Sequence, residues 1–126
     1  MKLRIKGNSM RLRVSPSEMK RLLSDGRIEE IIRFGSEPDA KLTYALEQAA
    51  SNEQIAVRYR PQEVTVVLST QNVRNWAEGD EVGVYGVLEV GNGQQLSVVV
   101  EKDFACLDRN EGNEDTFANP KSAQLC

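Results

Sequence analysis

Two stretches of this chain carry nearly the same apolar pattern 54 positions apart, and they align without a gap. The offset places Leu3, Ile5, Met10, Leu12 and Val14 on Val57, Tyr59, Val64, Val66 and Leu68. It carries Met19, Leu22 and Leu23 onto Val73, Trp76 and Ala77, and Ile28 and Phe34 onto Val82 and Leu88. Leu42, Tyr44 and Leu46 land on Leu96, Val98 and Val100, while Arg4 falls on Arg58, Lys6 on Arg60, Ser15 on Ser69 and Glu47 on Glu101. Phase agreement through strand and helix patterns at one spacing implies an internal repeat. Each half must then adopt the same plan, and repeat-related positions become candidates for a shared site.

Within a half, the plan reads strand, turn, strand, helix, strand, turn, strand. Lys2–Lys6 and Met10–Val14 alternate apolar with polar residues at period two, the mark of half-buried strands. Gly7-Asn8-Ser9 supplies the turn between them. Ser15-Pro16-Ser17-Glu18 opens a helix, with Ser at the N-cap, Pro at the first helical position and Glu three residues after the cap. Met19, Leu22 and Leu23 form its buried stripe, and Gly26 ends it. Arg27–Phe34 and Lys41–Glu47 complete the half around a loop at Gly35–Asp39. The second half repeats this with strands Ala56–Arg60 and Glu63–Leu68 and a helix capped by Ser69. A hairpin of Val82–Glu89 and Gln95–Glu101 then turns at Gly91-Asn92-Gly93. The expected fold is one α+β domain over residues 1–126, β-rich and antiparallel. It divides into repeat 1 at 2–47, a polar linker at 48–54, repeat 2 at 55–103 and a polar tail at 104–126.

Composition narrows the function classes. No stretch approaches the roughly 20 apolar residues of a membrane helix. The first residues alternate charged and apolar, unlike a secretory signal, so a cytoplasmic protein is expected. Residues 1–35 hold nine Lys/Arg against four Asp/Glu, yet the whole chain carries a net charge of −3. That balance argues against broad nucleic-acid binding and leaves room for a small anionic ligand. The chain has no histidine, which removes the commonest general base and zinc ligand. No nucleophile–base set, phosphate loop or metal motif occurs, so no catalytic residue, metal or cofactor is assigned.

The apolar side of each strand must meet the helices, so the other side displays the charges. On it fall Lys2, Arg4, Lys6, Arg11 and Arg13, with Arg58 and Arg60 from the second half, Glu29 and Arg33, and Glu47, Glu89 and Glu101. Alternating Arg and Lys on a strand ordinarily form a solvated face with nearby Glu as ion-pair partners. Brought together in a concave space, the same groups would bind a phosphate or carboxylate. The candidate ligand residues are Arg4, Lys6, Arg11, Arg13, Arg58 and Arg60, with Glu47 and Glu101 to orient them or hold a cation.

Read from the second strand, the order of elements and the basic inner face over residues 2–103 resemble the CYTH-type triphosphate tunnel proteins. The resemblance implies an eight-stranded, partly closed barrel with two short helices outside, and Lys, Arg and Glu side chains pointing into a channel. The Glu-x-Glu-x-Lys strand signature of that family is absent: the first strand reads Lys2-Leu3-Arg4-Ile5-Lys6.

Arg-Ile-Lys-Gly-Asn-Ser at 4–9, Leu-Thr-Tyr-Ala-Leu-Glu at 42–47 and Glu-Lys-Asp-Phe-Ala-Cys-Leu-Asp-Arg at 101–109 look like a family of small uncharacterised bacterial proteins, which implies no activity. In the tail, Phe104, Leu107 and Phe117 are expected to pin the chain back across the sheet. Cys106 and Cys126 lack zinc-knuckle spacing, and are expected as a structural and an incidental thiol rather than a mixed site with Asp108, Glu114 or Asp115. Three functions follow as expectations: a non-catalytic binding domain for phosphate, nucleotide or polyphosphate; a protein-interaction module, with a homodimer among its forms; and a divalent-metal triphosphate hydrolase using Glu47, Glu89 and Glu101.

Overall fold

The computed structural model describes residues 1–104 and 115–118. The expectations for Cys106, Leu107, Asp108, Glu114 and Cys126 lie outside the described residues. The elements run β1 (Lys2–Ile5), β2 (Ser9–Val14), α1 (Pro16–Asp25), β3 (Arg27–Arg33) and β4 (Lys41–Ala49), then β5 (Ile55–Arg60), β6 (Glu63–Ser69), α2 (Thr70–Glu78), β7 (Gly83–Gly91) and β8 (Gln94–Lys102).

Local chemistry sets the helices. The Ser15 side chain accepts from the Glu18 N–H while the Glu18 carboxylate accepts from the Ser15 N–H, a complete capping box. Gly26 closes α1 in the left-handed conformation at φ 81°, where a side chain would be strained. Ser69 caps α2 through the Asn72 N–H. The ends of both helices are then held from the following hairpin. Gln48 Nε2 donates to the Leu22 and Leu23 carbonyls at the end of α1, and Lys102 Nζ donates to the Gly79 carbonyl at the end of α2. Gln48 and Lys102 occupy the same place in the two halves.

The strands form two four-stranded sheets, ordered β1-β2-β8-β7 (sheet A) and β3-β4-β6-β5 (sheet B). Every hairpin is antiparallel, but the central pairs β2/β8 and β4/β6 are parallel. Both sheets are therefore mixed, which corrects the antiparallel expectation. Each sheet combines the first hairpin of one half with the second hairpin of the other. The central registers correspond: Ser9 faces Ser97 in sheet A, and Glu63 faces Thr43 in sheet B.

The sheets do not close into a barrel, and the expected channel does not form. The apolar faces of both sheets meet Met19 and Leu22 of α1 and Val73 and Trp76 of α2 in one cluster, with Leu12, Val14, Leu22, Leu46, Val66, Leu68, Val73, Trp76, Val98 and Val100 fully buried, while Leu23, expected in the buried stripe of α1, is 40% exposed. Side-chain packing joins the sheets where a ladder would be needed for closure. At the β5–β7 corner Ile55 lies on Gly86, so closely that a Cβ there would sit 2.3 Å from Ile55 Cγ2. The space between the sheets is thus apolar and filled, and the charged faces point away from it.

Two local expectations also change. Residues 48 and 49 belong to β4, so the linker begins later than the polarity of Gln48 suggested. β7 begins at Gly83, and its register is shifted by two residues relative to β3: Ile28 lies opposite Leu46, and Val84, not Val82, lies opposite Val100. The longer link between α2 and β7 is offset by a shorter β7–β8 turn, and a two-residue shift preserves which face is buried.

Beyond β8 the chain returns. Phe104 and Phe117 form an isolated parallel β-bridge, their rings edge to face at 5.9 Å, and Phe117 packs against the core. Asp115 accepts hydrogen bonds from the Ser17 N–H and hydroxyl at the first turn of α1.

Candidate functional site

The eight candidate residues divide between two outer faces. Arg4, Arg11, Arg13 and Glu101 lie on sheet A with Lys6 just past the end of β1, and Arg58, Arg60 and Glu47 on sheet B. The repeat-related pairs Arg4/Arg58 and Lys6/Arg60 therefore do not converge. The cause is topological: the exchange of hairpins puts equivalent strands in different sheets, each with its charged side away from the common core.

On sheet B two arginines, Arg27 and Arg58, are used internally. Arg58 makes a two-pronged contact with Glu47, Nη1 to Oε2 and Nη2 to Oε1 both at 3.2 Å. Arg27 Nη1 donates to the same carboxylate at 2.9 Å and also lies near Glu29 and Glu63. Ala45 and Thr65 are buried although they lie on the outer face, and Arg27 Nη1 also donates to the Thr65 hydroxyl at 3.4 Å. Hydrogen bonds from Arg58 hold the Glu47 carboxyl below the ordinary carboxylate range; partial burial opposes them, and Arg27 adds to them. Arg27 and Glu63 escaped the sequence reasoning, although Arg27 shares the period-two phase of Glu29. Arg60 makes no ion pair among the described residues.

Sheet A is different because its arginines are placed differently. Arg13 stands opposite Glu101, where sheet B has Val67 opposite Glu47, and Gly83 occupies the place of Arg27. Glu101 is thereby taken by Arg13 at 3.1 Å and Arg11 at 3.4 Å, and Lys2 reaches Asp103 at 2.9 Å. Arg4 and Lys6 are left with no carboxylate partner among the described residues. They open, with Arg11, onto a cleft of about 390 Å³ that is also lined by Ser9, Met10, Ser97 and Val99. Three cations and two hydroxyls on one concave surface suit a small polyanion.

The register extends the site across the sheet. One row runs Arg4, Arg11, Val99, Tyr85, and the row beside it contains Ser9, Ser97 and Val87. Partial burial and the Glu101 carboxylate raise the Tyr85 pKa, against an opposing effect of Arg11, so the phenol belongs to this charge field. Tyr85 was missed as a candidate because only the inter-strand register shows that it shares the row of Arg4 and Arg11.

Glu47 and Glu101 lie on different sheets, each held by its own arginines, so they cannot form one metal site. Among the described residues no group of three or more His, Cys, Asp or Glu is placed to hold a metal ion, and no helix is long and apolar enough to cross a membrane.

No curated protein and no solved structure matches the chain. A family model does, over residues 1–121, nearly the full length on which the sequence motifs lie. By that match the chain belongs to the family of unknown function DUF7009.

Proposed function

We propose that the protein is a non-catalytic binding domain whose sheet A outer face takes a small phosphate-bearing anion. The observation that carries this is the pair Arg4 and Lys6, without an acidic partner among the described residues and opening with Arg11 onto one cleft. A guanidinium presents a fixed fork of donors that matches phosphate oxygens, and the ammonium adds charge. Hydrolysis finds no support in the placement of the carboxylates.

The test is a thermal melt with pyrophosphate, inorganic triphosphate and a nucleoside triphosphate, with and without Mg²⁺ or Mn²⁺. Ligand at about 100 times its Kd stabilises the fold by roughly 2.7 kcal/mol, a rise of several degrees for a domain of this size. Arg4→Ala with Lys6→Ala removes the rise, and Arg58→Ala on the other sheet leaves it intact. No shift with any anion, or equal loss in Arg58→Ala, overturns the proposal.

A second reading, a protein-interaction module, is favoured by β3, which lies at the edge of sheet B with no strand beyond it among the described residues. Its end exposes Ile31, Ile32 and Phe34, the last 70% accessible, beside a backbone edge able to accept another strand. Light scattering of the wild type and Ile31→Lys tests it for self-association: a dimer that the substitution dissociates supports pairing, and a monomer in both removes a second copy as the partner.

A further inference from the structure

We infer that the ligand of the sheet A face is a nucleotide rather than an inorganic polyphosphate, with its base on Tyr85 and its phosphates on Arg4, Lys6 and Arg11; this rests on the anion site proposed above. The row Arg4–Arg11–Val99–Tyr85 changes chemistry along its length: two guanidinium groups, an aliphatic floor, then an aromatic ring. Tyr85 is 54% accessible and Val87 beside it 61%, on the same outer face as the cations. These two large apolar side chains stand one strand beyond Val99 and Ser97, which line the cleft; they give a bare phosphate chain nothing to bind, whereas a base has an apolar face to lay on them. Arg11 and Tyr85 are two strands apart, about 10 Å at the usual spacing of roughly 4.8 Å per strand. A ribose and its first phosphate bridge such a gap between a stacked base and the terminal phosphates.

The middle of the path is suited to a sugar. Ser97, which lies between Ser9 and Val87 in the adjoining row, makes no hydrogen bond with its hydroxyl among the described residues. That hydroxyl can meet a ribose hydroxyl or the first phosphate. Nothing on the equivalent face of sheet B repeats the arrangement: Arg58 is committed to Glu47, and the row it shares continues through Thr65 and Ala45 to Glu29.

Isothermal titration of the wild type, Tyr85→Ala and Tyr85→Phe with inorganic triphosphate and with adenosine triphosphate, both metal-free, decides the matter. The nucleotide is expected to bind the wild type about tenfold more tightly than inorganic triphosphate, within the range a stacked base contributes. Tyr85→Ala removes that advantage and leaves inorganic triphosphate unchanged, while Tyr85→Phe keeps it. Equal affinity of the wild type for both ligands, or an equal loss for both in Tyr85→Ala, overturns base recognition and leaves the anion site standing. Binding of neither ligand by the wild type overturns the anion site, and the nucleotide assignment with it.

Discussion

Glu101→Gln should strengthen anion binding, and the size of the gain is set by geometry. The carboxylate is 3.4 Å from Arg11 and 3.1 Å from Arg13. An anion on the cleft side of Arg11 would lie about 7 Å from it, a separation at which two unit charges in water repel by about 0.6 kcal/mol. For pyrophosphate carrying about three charges the sum is about 1.8 kcal/mol, or roughly 20-fold in affinity at low salt. At 0.15 M ionic strength the Debye length of about 8 Å reduces the gain to about threefold. The assay is isothermal titration with pyrophosphate at both ionic strengths, with Glu47→Gln as the control, since Glu47 lies on the other sheet. Unchanged or weaker binding in Glu101→Gln, or the same gain in Glu47→Gln, would refute the placement of the anion beside Arg11.

Other outcomes follow from the packing and the charges. The lowered pKa of Glu47 means that its stabilising effect is complete above the ordinary value of 4.5 and is lost as pH falls through the folded value. The melting-temperature gap between wild type and Glu47→Gln should therefore hold at neutral pH and close in acid; a gap that widens in acid would contradict the two-arginine clamp. Trp76 is fully buried and its Nε1 donates to the Val82 carbonyl at 3.0 Å, which also accepts from the Lys102 N–H. Trp76→Phe leaves that carbonyl bonded to Lys102 and should cost about 2 kcal/mol, against roughly 3–5 kcal/mol for Trp76→Ala, which also empties the ring's volume; equal losses by chemical denaturation would show that filling the core at this position does not set the cost. Gly86→Ala should destabilise by about 1–3 kcal/mol, because its Cβ meets Ile55 Cγ2. In a double-mutant cycle Ile55→Ala should relieve part of that loss, and strict additivity would deny the contact.

What the sequence made legible was local. Ser15, Pro16 and Glu18 announced α1 because a capping box is written within four residues, and alternation assigned the buried side of β2, β4 and β6, whereas Ile5 at the end of β1 and Tyr59 near the end of β5, expected on the covered side, are 64% and 73% exposed. Alternation says nothing about which strand lies next door. The partnership of β2 with β8 joins residues 88 positions apart, and no periodicity in Ser9–Val14 encodes it. Arg4 and Arg58 were therefore correctly placed on charged faces and wrongly expected to face each other. The ungapped alignment of the two halves also concealed a compensated shift, since Val82 and Val84 share a strand phase and only the pairing with Val100 distinguishes them. Arg4, Lys6 and Arg11 were readable as cations on one face; that Arg13 would occupy Glu101 and leave Arg4 and Lys6 available required the register.

The exchange of hairpins between the sheets has a consequence for how the chain assembles. Arg13 and Glu101, neighbours in the finished sheet, are 88 positions apart in sequence. Neither half can complete a sheet alone: β1–β2 waits for β8, and β5–β6 waits for β4. Translation would thus release a first half in which the edge of β4 stays open until β6 emerges and the edge of β2 until β8, the last strand, emerges, and folding should be late and slow for a chain of this length. The same interlocking makes the two halves natural fragments for complementation, inert apart and native when mixed.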